Sequence, residues 1–175
     1  KMAVKLPKGF NLATNGLRKD LKTINDSVFY YYESMYPMAT YLIAVNASKF
    51  RFEEDKYIRI SNPKDTVPIH YYVWDQDWTS DTTDGTAYNA KHAFRNMVKM
   101  MEVYSEYFGE YPFEKYGMVS VQPFEFGGME HQTMTTINRS WLRNYSENGI
   151  AHELAHQWLG DLITCATWFD IWINE

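Results

Sequence analysis

The pentapeptide His152-Glu153-Leu154-Ala155-His156 constrains this chain more than any other feature. On a helix, residues four apart share a face, so the spacing predicts two imidazoles pointing the same way. Two neutral ring nitrogens so placed can hold one zinc ion. A carboxylate from a second helix would complete a His₂Glu ligand set and leave a fourth position open to water. Eighteen residues separate His156 from Glu175, the candidate for that carboxylate. Glu153 follows the first His and can reach the water as a general base. The bland alternative makes both His ordinary helix residues and Glu153 a solvated charge. The setting argues against it: Gly149-Ile150-Ala151, Leu154-Ala155 and Trp158-Leu159 are mostly apolar, so the helix is expected to be buried. A buried His needs a partner, and metal is a common one. Gly160 is a natural helix stop.

At 175 residues the chain can form one domain or two small ones with a real core. A formal charge of −5 and the lack of any Lys/Arg run argue against nucleic acid as a partner. No apolar run reaches membrane-spanning length. Lys1 to Leu6 reads as the inside of a strand rather than a signal peptide. The single Cys165 cannot make an internal disulfide and is expected to pack as a small hydrophobe. Aromatic residues at 17%, with fourteen Tyr and six Trp, suit a β-rich fold.

Residues 1 to about 75 read as β structure. Asn15-Gly16 is a hairpin signal. Val28 to Tyr32, Thr40 to Val45, Tyr57 to Ile60 and Ile69 to Trp74 carry β-branched and aromatic residues, and Pro63 and Pro68 bracket a turn. Residues 75–85 are acidic and turn-prone and are read as a domain boundary, the alternative being a loop within one domain. From Thr86 to about Phe108 the period becomes helical, with a core stripe of Phe94, Met97, Val98, Met101, Tyr104 and Phe108. Strands are expected over Tyr116 to Val121 and Met129 to Ile137. The metal helix is expected from about Glu147 to Leu159, and a further helix, opening near Asp170, would carry Glu175. The apolar face of that last helix (Trp168, Ile171, Trp172) is unfinished, which predicts that the chain is part of a larger polypeptide.

Several pieces together resemble the zinc aminopeptidases of the aminopeptidase N type, which are gluzincins. That family carries H-E-x-x-H, eighteen residues and Glu, the Glu usually within Trp-x-Asp-x-Trp-x-Asn-Glu. The run here is Trp168-Phe169-Asp170-Ile171-Trp172-Ile173-Asn174-Glu175. His156-Gln157-Trp158-Leu159-Gly160-Asp161 matches the stretch after the second His. Upstream, Gly127-Gly128-Met129-Glu130-His131 stands where the family has Gly-x-Met-Glu-Asn, and Tyr111-Pro112-Phe113 and Pro37 to Tyr41 are also similar. The resemblance implies an α+β fragment: the C-terminal part of an all-β N-terminal domain over residues 1–78, then the truncated first half of a thermolysin-like zincin catalytic domain over 79–175.

It also implies roles. His152, His156 and Glu175 would bind zinc, and Glu153 would activate water. Glu130 would pair with the free α-amino group of a peptide substrate. Gly127, Gly128 and Met129 would offer an unobstructed backbone to that extended peptide. His131 departs from the family's Asn, and similar sequences in secreted bacterial members point to an extracytoplasmic parent. The family's oxyanion-stabilising Tyr lies downstream of the third ligand and outside this sequence. Two other readings are compatible with the resemblance: an epoxide-opening relative with the same zinc site, and a non-catalytic scaffold. The second conflicts with the retention of all four site residues, since a scaffold has no need of them.

Overall fold

The computed structural model describes residues 1–79 and 87–174. Alternation along the first strands decides their faces. In β1 (Met2–Pro7), Met2, Val4 and Leu6 turn inward, and in β4 (Ser27–Glu33) Val28, Tyr30 and Tyr32 are buried. These residues form one small core with Leu12. β1 pairs antiparallel with β4, and β4 pairs on its other side with β3 (Leu17–Ile24). The hairpin between β3 and β4 turns at Asn25-Asp26, with Asn25 at φ 52°.

The turn at Asn15-Gly16 is therefore not a hairpin. β2 (Asn11–Thr14) leaves β3 and pairs antiparallel with β5 (Val45–Ser48), so Asn15-Gly16 is a joint between two sheets. Gly16 has φ 72°, and a Cβ there would stand 2.4 Å from the Glu33 carbonyl oxygen, so only glycine lets the two strands cross this closely. The Asn15 carboxamide supplies the bonds a hairpin would have made. It donates to the carbonyls of Leu42 (2.9 Å) and Gln132 (2.6 Å) and accepts from the Ala44 amide (2.8 Å). Thr40–Leu42, expected as the start of a strand, is instead a short 3₁₀ turn ahead of β5.

The larger part is built on a five-stranded sheet in the order β6-β7-β8-β10-β9. β6 (Arg51–Ile58) and β7 (Thr66–Val73) form an antiparallel pair. β8 (Tyr116–Val121) runs parallel to both β7 and β10 (Thr135–Asn138), and β9 (Gly128–Met129) closes the order antiparallel to β10. The stretch expected as one strand from Met129 to Ile137 is thus two strands separated by a turn. Thr133 bends back there at φ 65°. Pro68 lies inside β7 and not in the turn, just before the first residue of that strand that pairs with β8, where a missing N–H costs the sheet least.

Helices α1 (Ala90–Ala93), α2 (Met97–Phe108), α3 (Ser140–Asn144) and α4 (Glu147–Ala155) accompany this sheet. The helical pattern starting at Thr86 falls partly on residues 80–86, outside the described residues. Within them it is broken: Asn89 caps α1 by accepting from the His92 amide, and α2 begins only at Met97. Phe94, Met97 and Met101 enter the main core with Tyr71, Tyr116, Met118, Ile150, Leu154 and Trp158, whereas Phe108 is exposed. Strands on both sides of the acidic stretch, β7 and β8, are neighbours in one sheet. Within that stretch Asp77 is buried and takes a two-pronged bond from Arg139, at 2.7 and 2.8 Å, which fastens it ahead of α3. Cys165 is half-buried.

Candidate active site

α4 is held from two sides. Its apolar residues Ile150 and Leu154 sink into the main core. Its first residue, Glu147, accepts from Arg95 and Asn96 at the head of α2, and the Tyr104 hydroxyl of α2 donates to the Ala151 carbonyl at 3.1 Å. The helix was expected to reach Leu159. It ends at Ala155, with His156 as its cap residue still in helical geometry, and the chain then turns through Gly160. Because the cap keeps helical φ and ψ, the four-residue spacing still works: the His152 and His156 Nε2 atoms stand 3.0 Å apart with their rings nearly perpendicular. His156 is buried while His152 is exposed, so the pair opens to one side and is not enclosed in a buried helix.

Two nitrogens bound tetrahedrally to one zinc at about 2.0–2.1 Å would stand about 3.3 Å apart, so the pair is close to the separation that the ion requires. The tautomer also fits. His156 Nδ1 lies 3.1 Å from the Leu159 carbonyl, which can only accept. With the proton on that nitrogen, a neutral His156 ring has its lone pair on Nε2, the atom that faces His152. Glu175, the expected third ligand, lies outside the described residues; within them, no group of three or more His, Cys, Asp or Glu residues gathers as a metal site.

Glu153 is buried against β9. A Cβ on Gly128 would stand only 2.1 Å from its Oε1, so the strand backbone and the carboxylate occupy adjoining space that no side chain could share. β9 ends the sheet order, with Gly128 opposite Ile137 and Met129 opposite Thr136 of β10. Gly127 precedes it, its carbonyl accepting from the Asn138 amide at 2.8 Å. Glu130 follows the strand directly and is 8% exposed. His131 is next, its Nδ1 3.0 Å from the Thr136 hydroxyl, and burial pushes its ring down to about 4, so it is neutral near pH 7.

The sequence reading did not single out the residues that tie these pieces together. Gln157 is fully buried. It donates to the Glu130 carbonyl (3.1 Å) and to Asp161 Oδ2 (2.7 Å), and it accepts from the Thr133 amide (2.8 Å) and the Tyr111 hydroxyl (3.3 Å). Burial pushes the Asp161 carboxyl up to about 9, the Glu130 and Glu153 charges add to this, and the bond from Gln157 opposes it. Two neighbouring carboxylates thus add to the effect of burial on Asp161. Asn174 is also buried and donates to the Tyr41 hydroxyl at 2.8 Å, and the Tyr41 and Trp168 rings meet at 5.3 Å. The segment ahead of Glu175, expected as a helix from Asp170, is a 3₁₀ helix over Trp168–Ile173.

The arrangement is a mixed sheet whose last strand lies against the acid of a His-Glu-x-x-His helix, and the chain as a whole is similar to known proteins in sequence and fold. Residues 92–175 match the peptidase family M1 domain. A probable aminopeptidase 2 of Sulfurisphaera tokodaii is 28% identical over all of this chain, which spans 22% of that protein. Aminopeptidase 2 of Candida albicans is 31% identical over 79% of this chain and 14% of its own length. A crystal structure of an M1 zinc metallopeptidase from Deinococcus radiodurans superposes with a TM-score of 0.74 at 25% identity, covering 99% of this chain and 36% of that one. A mutant of that metallopeptidase, bound to a Tyr-Ser-Ala substrate, superposes with a TM-score of 0.75. Residues 92–175 belong to the peptidase family M1 domain, and the chain spans 14–22% of the length of the two aminopeptidases. Among the described residues no helix is long and apolar enough to cross a membrane.

Proposed function

We propose that the longer protein of which this chain is part is a zinc-dependent aminopeptidase, removing the N-terminal residue of peptides. The observation that carries this reading is the 3.0 Å approach of the His152 and His156 Nε2 atoms beside the buried Glu153 carboxylate and strand β9. His152 and His156 would hold the metal, with Glu175 as third ligand on the strength of its motif. Bound zinc would supply Lewis acidity and lower the pKa of a water molecule. Glu153 takes the proton of the attacking water and hands it to the departing amine. The backbone of Gly127, Gly128 and Met129 receives the extended peptide as an added strand, since β9 ends the sheet order. Glu130 pairs with the substrate's ammonium group and so restricts the enzyme to free N-termini.

Glu153→Gln in the full-length protein tests the reading. The amide keeps the shape but cannot accept a proton. Zinc content is expected to be unchanged while kcat falls by about 10²–10⁴-fold. Near-normal turnover with zinc in place would overturn the assignment of the base.

A further inference from the structure

We propose that Gln157 is a positioning residue for recognition of the peptide N-terminus: its carboxamide sets where the Glu130 segment stands relative to the helix carrying His152, Glu153 and His156. The proposal rests on the reading of Glu130 given above. Gln157 immediately follows His156, so it is placed by the same turn that places the candidate metal ligand. From just past the end of α4 its side chain reaches the turn between β9 and β10. There the nitrogen meets the carbonyl of Glu130 itself and the oxygen meets the amide of Thr133. These two bonds bracket the loop at both ends.

The loop needs such a clamp. Thr133 holds a positive φ, 65°, that β-branched residues avoid, and the bond from its amide to Gln157 offsets that strain. On its far side the loop is gripped by the N-terminal joint, through Asn15 to the Gln132 carbonyl and the Gly16 amide to the Thr133 hydroxyl (2.9 Å). Gln157 is the link on the metal side. The two backbone partners fix the carboxamide orientation, because its nitrogen must face the Glu130 carbonyl and its oxygen the Thr133 amide, and Asp161 packs against the nitrogen at 2.7 Å. Neither a carboxylate nor an apolar chain can meet that pattern. A shift of about 1 Å in a group that pairs with a substrate charge is enough to change rates substantially.

A double-mutant cycle in the full-length zinc enzyme tests this, with Gln157→Leu and Glu130→Ala assayed on an aminoacyl anilide and on its N-acetyl derivative. Gln157→Leu is expected to lower kcat/KM for the free amine about tenfold or more, mainly through KM, with full zinc content and little change on the acetylated compound. In the Glu130→Ala background the same substitution should cost almost nothing further, because both changes remove one interaction. Additive losses, or equal losses on the two compounds, would make Gln157 a purely structural residue and overturn the proposal. The failure of the underlying reading looks different: Glu130→Ala alone would then strike both compounds equally. If Gln157→Leu does not fold, Gln157→Asn keeps the carboxamide one methylene short, and a smaller loss with the same preference for the free amine is expected. An unselective loss in that variant also overturns the proposal.

Discussion

Lys115 is fully buried, and its ammonium group donates to the Thr14 carbonyl at 2.6 Å. Burial pushes it down to about 7, with the Glu114 charge acting in the other direction. A base whose folded pKa lies below its unfolded value costs the folded state most when both states are protonated. Between pH 7 and the ordinary 10.5 the unfolded chain alone holds the proton, so this group makes stability rise with pH. Asp161, raised to about 9, tilts the curve the other way over part of that window, so a difference between variants is the useful quantity. Lys115→Met should be more stable than the wild type at pH 7, with an advantage that shrinks by up to about 1.4 kcal/mol per pH unit toward pH 9. Urea unfolding at several pH values measures this; a constant difference would show that Lys115 does not lose its proton in the fold. Neither Lys115 nor Gln157 stands out in the sequence as His152 and His156 do. The His pair announces itself by a spacing of four. A buried polar residue is explained only by its partner: the Gln157 bonds that reach the loop cross 24 and 27 positions, and the Lys115 bond to Thr14 crosses 101.

Among the described elements, β9 is the shortest strand and the one that lies against Glu153. Gly128 gives its backbone contact with Glu153, and a methyl group there would have to displace the carboxylate, because Cγ, Cδ and Oε1 all lie within 2.7 Å of the added carbon. Gly128→Ala is expected to leave zinc content intact and to move the melting temperature little, since the site is half-buried at a sheet end and a carboxylate on a flexible stem can yield. It should nevertheless lower kcat at least about tenfold, through a displaced base. Unchanged kcat would mean that Glu153 finds an equally good position. The sequence foretold β4, β7, β8, α2 and most of α4, because each carries a clear period. It misjudged β9 and β10 as one strand: the Thr-rich run through residues 133–136 has β propensity throughout, and contacts with distant residues, Gln157, Asn15 and Gly16, hold the bend at Gln132 and Thr133. It misjudged Asn15-Gly16 because a residue pair that favours a tight turn says nothing about which strand waits beyond it.

In the whole molecule, the break in composition near residues 75–85 is not a break in the sheet, since β7 and β8 lie side by side across it. What joins the first strands to the site is the Asn15 side chain, which serves Leu42, Ala44 and Gln132 at once. Asn15→Ala would leave three buried backbone groups short of a partner and is expected to cost roughly 3 kcal/mol or more, with the loop at 130–133 loosened. Thermal melts and hydrogen exchange at Thr133 check this; a loss below about 0.5 kcal/mol would mean water replaces the side chain. These joints also impose an order in time. Residues 14–16 take partners at Lys115, Gln132 and Thr133, up to 117 positions later in the chain. At the usual pace of synthesis, about 5–20 residues per second, the first strands would wait roughly 5–25 seconds for them. During that interval β1 and β3 are the outer members of a three-stranded sheet, inviting pairing with a neighbouring nascent chain. Lys5 on β1 and Arg18, Lys19, Asp20 and Lys22 on β3 hold such neighbours off, so the charges on these strands protect the protein before it is finished.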